Sequence, residues 1–292
     1  MAATSRWEVS GAQTLTLEEH PVRELRVRLV GGTVNVVGTS DPTAEVEITD
    51  VRGEPLIVEQ EGGLLTVGYE DLPWQSFLKG WPKRPRKLMK REAVVSIRVP
   101  ADCRLSAGTV SAAAVVSGLT TDAEVRGVTG QTTLVGLAGA VTADTVSGHV
   151  EAQSLGGPLA FTSVSGGLTV VEGRGASLRA DTVSGELTLD LAPPGDLADI
   201  TITSVSGDVA LRLPDHINAA VAGNTVSGAV SSAFPELSSH GLWGPKQLTG
   251  VLGSGGGRLT CSTVSGAITV LRRPPGVHEQ GPSPAPASAF PA

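Results

Sequence analysis

The chain has 292 residues and a mass of 29.7 kDa, and it is 40% apolar but only 3% aromatic, with 37 glycines and 19 prolines. So many helix breakers exclude an ordinary helical enzyme, while plentiful Val, Leu and Ile and a mean hydropathy of +0.12 exclude disorder throughout. The net charge of −7 conceals one basic segment, and no run of 18 apolar residues marks a spanning helix.

The first residues, Met-Ala-Ala-Thr-Ser-Arg-Trp-Glu, show no cationic region followed by an apolar run. The expected compartment is therefore the cytoplasm. Residues 1–23 read as an N-terminal segment that caps the first edge against strand addition. From residue 24 onward, period-two alternation predicts strands at Leu25–Val30, Thr33–Val37, Ala44–Ile48, Leu56–Glu59, Leu64–Tyr69 and Val94–Val99. These supply three or four imperfect coils.

The alternation stops between Tyr69 and Val94. Residues 70–92 are expected to form an inserted loop, with a short helix around Arg86–Arg91. With Tyr69, the segment's Trp74, Phe77 and Trp81 make four of the chain's nine aromatics. Lys79, Lys83, Arg84, Arg86, Lys87, Lys90 and Arg91 follow with no acidic residue among them. Loops this long in compact domains are usually functional or disordered. Basic residues beside Trp rings are what an anionic membrane surface recruits. Trp74, Phe77, Trp81, Lys83, Arg84, Arg86, Lys87, Lys90 and Arg91 are thus the candidate binding residues, for a protein partner or an anionic membrane. The bland alternative folds the aromatics back over apolar coil surface and leaves a solvated basic rim. Nucleic acid is disfavoured, because the acidic remainder of the chain would repel it.

Beyond residue 100 a tetrad dominates. Hydroxyl-Val-Ser-Gly occurs at Thr145–Gly148, Ser163–Gly166, Thr182–Gly185, Ser204–Gly207, Thr225–Gly228 and Thr263–Gly266. Degenerate copies stand at Thr109–Ala112 and Gly127–Gly130, and the central valines step by 18, 18, 18, 19, 22, 21 and 38 residues. Apolar ladders accompany the tetrad: Val141, Leu159, Leu178, Ile200, Val221 and Leu259 lie five residues before the valine. Val150, Leu168, Leu187, Val209, Val230 and Ile268 lie four after it. Such a period predicts an all-β, single-stranded parallel β-solenoid (β-helix) of about 18–22 residues per coil over residues 24–272. The tetrad valines are expected to point inward as one column, with Val183 and Val205 close to Val164 and Val226. Their flanking Thr and Ser would then face outward. The double step before Val264 implies a loop excursion at 232–257. The Pro-rich residues 273–292 are expected to be a disordered tail.

This pattern resembles the bacterial "putative adhesin" family, a β-strand-repeat domain of unknown function, over roughly residues 24–272. The resemblance is carried by Gly32-Thr33-Val34-Asn35-Val36, Val99-Pro100, the repeated tetrad and Gly255-Gly256-Gly257-Arg258-Leu259. It implies a β-solenoid, often without an export signal and encoded near regulatory or envelope-stress genes.

The residues suggest little chemistry. Cys103 and Cys261 form neither a disulfide framework nor a CxxC metal site, so no metal and no cofactor is expected. The tetrad glycines lack the GK[ST] of a phosphate loop, and the many equivalent serines read as a hydroxyl ladder, not as nucleophiles. Glu186 and Asp208 should stack on one face with His149 two coils earlier, and such a carboxylate pair is the one hint of a carbohydrate-active β-helix enzyme. Outward Thr-x-Ser rows would superficially resemble an ice-binding solenoid. The favoured reading is a non-enzymatic scaffold or recognition module, with envelope-stress or regulatory assemblies as its setting.

Overall fold

A computed structural model describes residues 4–18, 20–69, 90–192, 199–241 and 244–273. Every regular element in them is a strand, and the strands form two large sheets that are mostly parallel. The all-β expectation therefore stands.

The regular middle comes first. The first sheet holds β9 (Arg104–Thr109), β11 (Ala123–Gly127), β13 (Val141–Thr145), β15 (Leu159–Ser163), β17 (Ser177–Thr182) and β19 (Asp199–Ser204), paired in that order. The second holds β10 (Ala113–Ser117), β12 (Thr132–Val135), β14 (Val150–Gln153), β16 (Leu168–Gly173), β18 (Leu187–Leu191) and β20 (Val209–Leu213). Consecutive strands alternate between the sheets, so each pair makes one layer, and neighbouring layers run parallel. The tetrads are the edge turns that carry the chain from the first sheet to the second.

The ladders pack as the alternation predicts. Val141, Leu159, Leu178, Ile200, Val221 and Leu259 are all buried between the sheets, as are Val150, Leu168, Leu187, Val209 and Ile268. Aromatic poverty has a packing counterpart here. Phe161, among the largest fully buried side chains, registers with Ala143 in one neighbouring strand and Ala180 in the other. One large ring is accommodated by small residues above and below it.

The N-terminal part departs from a simple run of parallel coils. It comprises β1 (Thr4–Val9), β2 (Gln13–Leu17), β3 (Glu24–Leu29), β4 (Gly31–Thr39), β5 (Ala44–Arg52), β6 (Leu56–Glu61), β7 (Leu64–Gly68) and β8 (Glu92–Pro100). The β3–β4 layer pairs with β9–β10, and β7–β8 pairs in parallel on its other side. Beyond that, β6 and β5 run antiparallel, and β1 and β2 run antiparallel to them as the outermost layer. The chain thus folds back after β4, turning where Asp41 Oδ1 accepts the Thr43 N–H at 2.9 Å. It then threads β7–β8 into the gap between β3–β4 and β6–β5.

The C-terminal end repeats this device. It contains β21 (Ala219–Thr225), β22 (Val230–Ser232), β23 (Leu237–His240), β24 (Lys246–Leu252), β25 (Gly257–Thr263) and β26 (Ile268–Arg272). The β25–β26 layer lies between β19–β20 and β21–β22, so the last layer in sequence is not last in space. Val264 therefore separates Val205 from Val226, contrary to the expected order. The described residues of 232–257 are likewise not a projecting loop. Among them, β23 and β24 form an antiparallel hairpin that continues the first sheet beyond β21, with Leu248 and Leu252 buried.

Candidate functional site

The tetrad edge is the most regular surface, and its orientation is the reverse of the expected one. Val146, Val164, Val183, Val205, Val226 and Val264 are 46–53% exposed, whereas Thr145, Ser163, Thr182, Ser204, Thr225 and Thr263 are buried. The cause lies in the first and fourth positions. The Gly148 N–H donates to Thr145 Oγ1 at 2.9 Å and the Gly185 N–H to Thr182 Oγ1 at 3.1 Å, and the other four tetrads do the same. An inward hydroxyl thus satisfies a buried donor that would otherwise be unpaired. With the first residue turned in, the valine must turn out.

The third and fourth positions join layer to layer. Both the N–H and the hydroxyl of Ser165 donate to the Val146 carbonyl, at 2.8 and 3.3 Å. Ser184 donates likewise to Val164, and Ser206 to Val183. The glycines sit back to back: a Cβ at Gly166, Gly185, Gly207, Gly228 or Gly266 would press within 3.0 Å of the neighbouring layer's glycine carbonyl. The buried threonines mean that no outward Thr-x-Ser array of the ice-binding kind exists. A valine row and a serine row face solvent instead.

Beside the serines runs a column of Gln131, His149, Gly167, Glu186, Asp208, Ala267 and Ala229. Glu186 and Asp208 occupy adjacent layers and are exposed, as stacking predicts. Asp208 Oδ1 accepts the Ala267 N–H at 2.7 Å, and His149 Nε2 lies 3.1 Å from Thr169 Oγ1. Asp208 thus bridges to the next layer, and both carboxylates are exposed to solvent. A second feature that the sequence does not reveal is an open groove of about 570 Å³ on the outer face of the first sheet. Glu24, Arg26, Arg104, Ser106, Asp122 and Glu124 line it, and Arg26 pairs with Glu24 at 2.7 Å. Its charges are mixed and mutually compensated.

Of the basic-aromatic candidates, Trp74, Phe77, Trp81, Lys83, Arg84, Arg86 and Lys87 lie outside the described residues. Lys90 is exposed. Arg91 is not available to a partner: it is 3% exposed, ion-pairs with Glu54 and stacks over Tyr69 at 5.1 Å from the ring centroid. Placed just before β8 and held by Glu54 and Tyr69, it is part of the core's rim. Burial pushes the Tyr69 phenol above its ordinary range, against the opposing pull of the Arg91 cation. Burial also pushes both the Cys103 and Cys261 thiols up to about 12, so neither offers a thiolate near neutral pH.

The family model for Toastrack DUF4097 matches residues 22–271, from just before β3 to the last layer. The chain belongs to the Toastrack DUF4097 family. No curated protein matches this Toastrack chain. Among solved structures it is similar to a "putative lipid binding protein" from Parabacteroides distasonis, with 13% identity, 90% of this chain and 97% of that one covered, and a TM-score of 0.48. A "putative adhesin" from Bacteroides fragilis is similar at 12% identity over 93% and 97% of the two chains, with a TM-score of 0.41. A "putative cell adhesion protein" from Clostridium sporogenes shares 11% identity over 90% and 100%, with a TM-score of 0.30. At such identities and TM-scores the likeness says nothing of what this Toastrack domain binds.

Proposed function

We propose that this Toastrack chain is a non-enzymatic scaffold, a parallel β-solenoid with one strand per sheet in each coil, whose role is recognition. The observation that carries the reading is the fate of the tetrad hydroxyls. The inward ones hold the edge turns and the serines tie each layer to the next, so the repetition is accounted for by stiffness and not by a reaction. A stiff stack offers long surfaces to partners. Residues 70–92, Arg91 apart, remain the proposed contact to an acidic protein or an anionic membrane, with a cytoplasmic, membrane-peripheral location and a bacterial envelope-stress or regulatory setting.

The test is co-sedimentation with neutral and anionic vesicles, using the chain and a variant with Lys83, Arg84, Arg86 and Lys87 changed to Ser. Binding to anionic vesicles alone, weakening as salt rises and lost in the variant, is the expected result. Equal sedimentation with both vesicles would remove the membrane contact. New reducing ends from an anionic polysaccharide, lost in Glu186→Gln, would replace the scaffold with an enzyme.

A further inference from the structure

Apart from Val110, which packs against the core, the valine row has no packing duty inside the molecule, yet it is the most regular apolar feature on the surface. In spatial order it runs Val110, Val128, Val146, Val164, Val183, Val205, Val264, Val226, as the edge hydrogen bonds show. The six of the full tetrads are about half exposed, and Val128 and Val110 are less so. Contiguous exposed apolar rows mark interaction sites more often than scattered apolar residues do.

We propose that this edge is a dimer interface, in which a second copy of the chain packs its own valine row against the first in antiparallel fashion. Three observations favour that occupant. The row carries no charge, and the hydroxyls beside it already bond to the Val carbonyls, so pairing would strand no buried ion or donor. Its flanks argue against an anionic lipid surface. Glu186 and Asp208 stand on one side; on the other are Asp144 and Asp181, whose partners Arg126 and Arg179 neutralise them without adding net positive charge.

The third observation is register. Two antiparallel copies overlap along all eight layers in one alignment only, with Val164 opposite Val183 and Val146 opposite Val205. That alignment sets His149 opposite Asp208 and Glu186 opposite Gly167. Sliding one layer further brings Glu186 against Glu186, and two layers bring it against Asp208, which like-charge repulsion opposes. Each half-exposed valine offers on the order of 70 Å². With the serines and the adjoining column, the edge supplies on the order of 600 Å² per copy, the lower end of what specific pairs bury. The expected dimer is accordingly weak, with a dissociation constant of about 10 μM.

Sedimentation velocity of the full chain from about 1 μM to about 500 μM, bracketing that constant, tests the proposal. The expected result is a shift from 29.7 kDa towards twice that mass. Val164→Lys with Val183→Lys should weaken association about 100-fold by burying four unpaired cations in the dimer, and the milder Val164→Ser with Val183→Ser about 10-fold. Far-UV circular dichroism checks that both variants stay folded. For geometry, a Val146→Cys chain and a Val205→Cys chain should form a disulfide when mixed and not when alone, since Cys103 and Cys261 are buried. A wild-type monomer at every concentration would overturn the proposal, as would a dimer indifferent to the lysines. Self-cross-linking of Val146→Cys would overturn the antiparallel arrangement. Binding to neutral vesicles, lost in the lysine variant and without any dimer, would hand the row to lipid.

Discussion

Replacing Thr182 by Val keeps the shape of the buried side chain and removes its oxygen. In the native edge turn, Thr182 Oγ1 accepts the Gly185 N–H at 3.1 Å, and both residues are buried. Without that acceptor the amide is stranded out of reach of water, at a cost of about 1–3 kcal/mol. The additional buried methyl offsets up to about 0.8 kcal/mol, which leaves a net loss of about 1–2 kcal/mol. At about 2–4 °C per kcal/mol for a domain near this size, the melting temperature should fall by about 2–8 °C. Thr182→Ser is the paired control, because Ser163 and Ser204 make the same bond in the neighbouring layers. It loses a methyl, about 1 kcal/mol, but keeps the acceptor. The two variants therefore melt at similar temperatures, and amide hydrogen exchange at Gly185 separates them. Exchange should accelerate in Thr182→Val and stay slow in Thr182→Ser. Unchanged Gly185 protection in Thr182→Val, or a gain in stability, would refute the account of why the hydroxyl points inward.

Gly207→Ala should be far worse than an ordinary Gly→Ala change, because its Cβ collides with the Gly185 carbonyl of the neighbouring layer; the expected loss is about 3 kcal/mol or more, read as a drop in urea midpoint. Val205→Asp, by contrast, places its carboxylate at a position 46% exposed, and should stay within about 1 kcal/mol of wild type in the same titration. Ser154 and Glu172 hold φ near 54°, at repeat positions equivalent to those where Gly118 and Gly136 hold 71° and 61°. Ser154→Gly and Glu172→Gly should each raise the melting temperature, by relieving about 1 kcal/mol of left-handed strain. Burial holds the Cys261 thiol at about 12, well above the 9.0 of an exposed thiol, so its contribution to stability is complete below pH 9 and is lost as pH rises towards 12. Cys261→Ala should therefore flatten the fall in melting temperature above pH 9, at the expense of lower stability at pH 7, and an unchanged alkaline slope would contradict the burial argument.

The period-two ladders were legible in the sequence, since Val141, Leu159 and Leu178 on one sheet and Val150, Leu168 and Leu187 on the other all pack inside, and only Val230 in β22 is half-buried. Alternation failed at the tetrad because it presumes an unbroken strand, whereas the edge turn is governed by a hydrogen bond from the fourth residue back to the first. The signal was present as a hydroxyl always three residues before a glycine. Strand direction was not legible: alternation is the same in β5 and β6, which run antiparallel, as in β13, which runs parallel. Spatial order was hidden for a similar reason. The tetrad at Thr263–Gly266 is chemically equivalent to the one at Thr225–Gly228, so the 38-residue step does not reveal which lies nearer Val205. Arg91 belonged in sequence to the basic run, and only the positions of Tyr69 and Glu54 show that it faces the core.

Near each end of the stack a layer is inserted out of sequence order, β7–β8 at one end and β25–β26 at the other. An ordinary stack of repeats ends wherever the chain stops and leaves its last strands ready to template another copy. Here the β21–β22 layer is joined to β19–β20 only through β25–β26, so the seat of the C-terminal layer is made by strands that follow it in sequence. The middle layers carry no such dependence. Excising residues 140–157, one full period, would shorten the rack by a single strand spacing of about 4.8 Å and leave both clasps whole. Length is thus a quantity that this architecture can vary freely, while its two ends are fixed by topology.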